Sequence, residues 1–332
     1  MSDAAAATTH SKKTPTEAWF SSWAVAWNKF WFTPTSAHAL AVMRILTGVI
    51  AFYTLLVWSF EFEGFINGGL ISAEYRNLLY RTPLDSTLAW SHFDWVGPAL
   101  RMPIHIVGLV IVALFTLGFY TRFTAILTAL LVISYSNRVM GALFGLDQML
   151  AMLTLYLAIS RCGDVFSIDS RLARRDPADN KPRSVMNSIA TRLIQVHLCI
   201  VYLFAGLGKC QGDKWWDGEA IWGAIANHEY QTVNMLWLSE HMGIVAVITM
   251  VALFWEISYA ALIWSRLTRP IVLALAIPMH LGIGICLGML EFGLIMLVAN
   301  IAFIPADFFQ QQKMPPSHRA QRESRRLTDG EG

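Results

Sequence analysis

The 332-residue chain is 55% hydrophobic and only 14% charged, against roughly 25% charged in soluble domains; this excludes an ordinary soluble globule and names the lipid bilayer as a partner. The formal net charge of +2 forms no basic face, so nucleic acid is not an expected partner. Cys162, Cys199, Cys210 and Cys286 make no CxxC and no zinc-like spacing, so neither a metal site nor a structural disulfide is expected.

Residues 1–13 are an Ala/Thr-rich tail without an apolar core, expected to be disordered, and insertion then falls to the first spanning helix. Thr14-Pro15-Thr16-Glu17 reads as a helix start, with a threonine cap, proline in the first turn and glutamate three residues after the cap. Trp19, Trp23, Trp27, Phe30 and Trp31 then recur at helical spacing, while Ser22 and Lys29 fall elsewhere. The pattern predicts an amphipathic helix over 14–33 lying in the membrane interface until Pro34 ends it.

Apolar windows follow at 38–60, 102–119, 123–140, 146–160, 187–209, 242–265, 270–287 and 292–304. Most suit a hydrocarbon core about 30 Å thick, the fourth and eighth being short. The expected fold class is all-α, a polytopic transmembrane bundle of about eight helices occupying 34–305, followed by a disordered cytoplasmic tail at 306–332. Lys12, Lys13, Lys29, Arg122, the cluster from Arg161 to Arg183, Arg266 and Arg269 fall on one side, whereas the opposite loops mix few basic residues with many acidic ones. Both termini are therefore expected in the cytoplasm, and the membrane expected is a bacterial inner membrane. The two long outer loops, 61–101 and 210–241, carry Trp90, Trp95, Trp215, Trp216, Trp222 and Trp237, which suits short helices at the headgroup level.

Ionisable groups inside spans are costly and face the bundle interior. Glu256 lies ten residues before Arg266 and His280 eleven after Arg269, each about 15 Å from the cytoplasmic face. A Glu256–His280 hydrogen bond satisfies both, as a structural or a proton-handling pair. Arg138 and Asp147 bracket an outer turn and are read as an ion pair, while Arg44 either snorkels to cytoplasmic phosphates or reaches Gln195. His197 is read as a packing histidine, and with His280 it supports neither haem nor metal. Gln195, Tyr202 and Lys209 are seven apart on one stripe of a helix. Lys209 is either an interfacial lysine favoured by the helix C-terminus or a base activated by its surroundings, and Gly206 admits either a cofactor or another helix.

The stretch VYLFAGLGKCQGDKWWDG at 201–218 resembles the horizontally transferred transmembrane (HTTM) family and its relative, the vitamin K-dependent gamma-carboxylase. The likeness extends through PTSAHALAVMRILTG, GLDQML, FSIDS, FWEIS and the residues after His280. Two positions depart from the carboxylase pattern: Gly208 stands where it has a second lysine, and Leu146-Asp147 where it has Asn-His. The resemblance implies an HTTM-like domain over 34–305, with Lys209 as the base that starts oxidation of a reduced quinone of the vitamin K or menaquinone type. Tyr202, Gly206 and Gln195 would line its pocket, with Trp215 and Trp216 as a lid. The alternative is a non-enzymatic membrane module that binds or helps mature a secreted peptide through its outer loops. A proton transporter working through Glu256 and His280 ranks last, because no inverted repeat is visible.

Overall fold

A computed structural model describes residues 14–67, 90–139, 142–173, 183–305 and 308–309. Expectations for the two tails and for the middle of the first outer loop lie outside the described residues, apart from Phe308 and Phe309. Helix α1 (Pro15–Phe32) begins with the capping box read from the sequence: Glu17 N–H donates to Thr14 Oγ1 at 3.3 Å, and Thr14 N–H donates to the Glu17 carboxylate at 2.8 Å. Its Trp19, Trp23 and Trp27 are exposed, Trp23 stacking on Trp27. At its other end Phe30 meets the Arg192 guanidinium at 4.4 Å and packs against Trp264, docking the helix on the bundle.

Eight helices coincide with the eight apolar windows: α2 (His38–Phe60), α3 (Pro98–Leu117), α4 (Thr121–Arg138), α5 (Gly145–Ile159), then, after the short α6 (Ile168–Leu172), α7 (Val185–Lys209) and, after α8 (Asp213–Trp216) and α9 (Ala220–Ile225), α10 (Met242–Leu262), α11 (Arg269–Cys286) and α12 (Leu290–Asn300). Five of them, α2, α3, α7, α10 and α11, are long and apolar enough to cross a membrane on their own composition. The other three fail for identifiable reasons: α4 carries Thr121, Thr124, Thr128, Ser134 and Ser136, and α5 and α12 are short. A turn at Ile301–Phe303 extends α12.

The bundle closes around α7, which packs along α1, α5, α10 and α12. A two-residue antiparallel pair, β1 (Thr35–Ser36) with β2 (Arg183–Ser184), ties the foot of α2 to the foot of α7. Asn187 secures that corner, donating to Thr35 O and accepting from Arg161 N–H. Asp169 in α6 accepts from Tyr120 N–H, Thr121 N–H and Thr121 Oγ1 at 2.7–2.8 Å, capping α4 where the chain turns at Gly118. One apolar core runs through α2, α3, α4, α5, α7, α10, α11 and α12, with Leu40, Phe115, Leu153, Leu157, Ile194 and Tyr259 fully enclosed.

Two glycines set how close the central helices come. A Cβ on Gly206 would lie 2.9 Å from Ile257 Cγ1 and 3.0 Å from its backbone nitrogen, so only glycine lets α7 press on α10 there. A Cβ on Gly293 would lie 2.3 Å from the His280 carbonyl oxygen, so glycine likewise permits the tight α11–α12 hairpin.

Candidate functional site

The contact made possible by Gly206 brings the end of α7 beside Glu256. Lys209 Nζ lies 2.7 Å from Glu256 Oε2, the two side chains being 27% and 14% exposed, and the ammonium sits 5.2 Å from the centre of the Trp215 ring. Glu256 is the fifteenth of the twenty-one residues of α10, so that helix runs on about 20 Å past the pair toward Met242. Lys209 therefore sits in a recess and not level with the end of α10. The Trp-rich segment fills the space beyond: Gly218, at φ +78°, fits against Ala246, and Ile221 N–H reaches Thr249 Oγ1. This half of α10 turns Ile244, Val247, Val251 and Phe254 outward, a lipid-facing surface, while Lys214 and Glu219 pair on the exposed side of α8. That partner raises the Lys214 pKa.

About two turns below Lys209, Tyr202 is 2% exposed and its oxygen lies 2.6 Å from His280 Nε2. Asn300 Nδ2 donates to the same oxygen at 3.1 Å and to Met296 O at 2.9 Å, while Asn300 Oδ1 accepts from Tyr259 O–H at 2.6 Å. Trp255 stands edge-on to Tyr202 and donates to Val272 O. The two groups share α7 and α10: Lys209 and Tyr202 stand seven residues apart on α7, and Glu256 follows Trp255, whose ring packs on Tyr202.

A model of the HTTM domain matches residues 32–308. The chain belongs to the HTTM family. Neither a curated protein nor a solved structure matches it.

The pairing expected between Glu256 and His280 does not form. In this HTTM protein α7 lies between them and supplies each with a partner, Lys209 for Glu256 and Tyr202 for His280. The stripe of Gln195, Tyr202 and Lys209 is real, but Gln195 is not drawn into the site. Its Nε2 donates to Ala302 O at 2.7 Å and its Oε1 accepts from Arg192 at 2.8 Å, which pins the foot of α7 to the turn after α12. Gly206 faces a helix and not an open pocket, whereas Gly208 has open space around it. Trp215 covers Lys209, and Trp216, half exposed, donates its indole N–H to Cys210 O at 2.8 Å and fixes the corner.

Arg138 and Asp147 also find other partners than each other. Arg138 donates to Ile66 O, Asp94 Oδ1 and Asn67 O at 2.8–3.0 Å; Asp147 accepts from Phe144 N–H and caps α5, where a carboxylate suits the helix N-terminus. Arg44 reaches neither phosphates nor Gln195: it is fully buried and donates to Phe166 O at 2.6 Å and Cys162 O at 3.4 Å. His197 accepts its place as a packing residue beside Tyr156, 2.9 Å away. Asn300 and Tyr259 are site residues that the sequence reading missed. A lone asparagine in the apolar run of α12 was the available signal, since a polar side chain at that depth needs partners.

Proposed function

We propose that this HTTM protein is a quinone-coupled membrane enzyme in which Lys209 is the base acting on a reduced quinone of the vitamin K or menaquinone type. The observation that carries the reading is the Lys209–Glu256 contact, enclosed between α7 and α10 yet with part of the lysine still accessible beneath Trp215. A reduced quinone with dioxygen supplies the redox chemistry, one hydroquinone and one O₂ giving one quinone epoxide and one water. The chain's part is to hold and move a proton. A charge pair in a low-dielectric interior is expensive to maintain, and transfer of the ammonium proton to Glu256 leaves a neutral amine at Nζ, the form able to take a ring hydroxyl proton. Oε2, in contact with Nζ at 2.7 Å, is placed to receive it. Trp215 limits water above the amine.

The oxidation is coupled, in this reading, to modification of an acceptor, a secreted peptide or protein. The distribution of basic residues supports a bacterial inner-membrane protein with both termini cytoplasmic, which puts the Trp-rich segment and the acceptor on the outer side. A second reading, a non-enzymatic module that binds or helps mature a secreted peptide, is favoured by the exposed Trp95, Trp216 and Trp237. The test is mass spectrometry of quinone products after membranes with wild type or Lys209→Ala are incubated with reduced menaquinone or vitamin K and oxygen. Epoxide from wild type alone is the expected result. Equal product from a folded Lys209→Ala removes Lys209 as the base, and no product from either moves the weight to the peptide module.

A further inference from the structure

The hydrogen bonds around Tyr202 have a direction. Asn300 cannot be turned over: its Nδ2 donates to Met296 O, and a flip would set two oxygens against each other. Nδ2 therefore donates to Tyr202, whose oxygen accepts, and the Tyr202 proton is left for His280 Nε2. A ring nitrogen that accepts carries no proton, so the neutral His280 ring bears its proton on Nδ1. That Nδ1 is buried and has no partner among the described residues, on a residue only 4% exposed. The chain of donors runs from Tyr259 through Asn300 and Tyr202 to His280 and ends in an open N–H. Leaving such a donor unpaired in the interior is costly, so the position calls for an acceptor that the described residues do not supply.

The surroundings state what kind of molecule supplies the acceptor. Leu273, Ile277 and His280 fall at i, i+4 and i+7 on one face of α11. Leu273 and Ile277 line a partly open groove of about 450 Å³ with Leu46, Val49 and Leu297, and Asn300 of the network lines it too. The groove is apolar apart from that asparagine, and its volume is that of a small-molecule site. A ligand arriving along it is lipid-soluble and brings one oxygen acceptor to a largely apolar wall.

We propose that His280 is a ligand-binding residue whose Nδ1–H donates to a ring oxygen of the quinone, with Tyr202, Asn300 and Tyr259 holding the imidazole in the donor tautomer. This assignment rests on the quinone reading above and adds to it the residue that fixes the ring oxygen. Tyr202 then acts through His280 as a positioning residue and need not touch the ligand.

The experiment measures binding of oxidised short-chain menaquinone to the full-length protein in nanodiscs, by quenching of tryptophan fluorescence and by the infrared carbonyl stretch of the bound quinone. His280→Gln sets its amide oxygen near the Nε2 position, keeping an acceptor for Tyr202, but has no donor at Nδ1; His280→Asn sets an amide N–H near Nδ1. The expected results are a carbonyl band lowered in wild type, a Kd raised about tenfold in His280→Gln, in line with one hydrogen bond, with the band returned to its free frequency, and a Kd within about threefold of wild type in His280→Asn. Wild-type binding with an unshifted carbonyl, which needs no variant to fold, overturns the assignment of His280 alone. So does an unchanged Kd in His280→Gln. No binding by wild type overturns this assignment and the quinone reading together.

Discussion

Among the cations inside this bundle, Arg138 and Lys209 are held in opposite ways. Arg138 is 4% exposed and spends its guanidinium on three acceptors, the carboxylate of Asp94 and the carbonyls of Ile66 and Asn67. Lys209 has one acidic neighbour, a tryptophan face and residual accessibility. A charge whose hydrogen-bonding capacity is used up fastens the chain, here the segment after α2 to the end of α4. A charge that retains capacity is available to a ligand. The difference separates structural from chemical ion pairs better than burial does, since both sites are inside the protein.

The largest effect on stability belongs to Arg138. Arg138→Ala takes one partner from Asp94 and removes a donor from both carbonyls, and should lower unfolding stability by about 2–4 kcal/mol, measured by denaturant titration in detergent; a loss below about 1 kcal/mol would place this arginine with Lys209. Tyr202→Phe sharpens the other side. It withdraws the donor from His280 Nε2 and the acceptor from Asn300, but Asn300 keeps Met296 O, so a cost of about 1–3 kcal/mol is expected. No change in the melting curve would mean that the network is not formed.

A smaller effect is read from pH. His92, on the outer segment beside Ser134, has its pKa lowered to about 4, chiefly by burial, with Asp94 opposing and His105 adding to the shift. Between about 6.5 and 4 the unfolded chain binds the proton and the folded one does not, so stability rises with pH across that window and is lost on acidification through it. His92→Gln should flatten this part of the pH profile of thermal stability, and an unaltered profile would exclude His92 as its source.

Helix positions were legible where side-chain periodicity alone decides them. The start of α1 is written in Thr14, Pro15 and Glu17, and the eight apolar windows correspond to eight helices because span length and hydropathy are local properties. The stripe joining Gln195, Tyr202 and Lys209 was legible for the same reason. Partners were not, because periodicity names the face of a helix and not the helix it meets. Arg138 was read with Asp147, nine residues on, but bonds to Asp94, 44 residues back; Glu256 was read with His280 on the next helix, but α7 enters between them through the contact at Gly206. Asn300 went unread because its neighbours on the chain are apolar and its side-chain partners, Tyr202 and Tyr259, emerge only when α7, α10 and α12 converge.

The most direct test of the contrast removes both charges from each pair and compares melting temperatures. Replacing an ion pair by uncharged groups of similar size is often neutral when nothing else depends on it. Lys209→Met/Glu256→Gln should therefore melt within about 3 °C of wild type. Arg138→Met/Asp94→Asn should melt far lower, because the Ile66 carbonyl loses its Arg138 donor and the Asn67 carbonyl keeps only that of Arg101. Equal losses in the two double variants, or a larger loss at Lys209 and Glu256, would show that this pair too is a fastening and contradict its assignment as the chemical site.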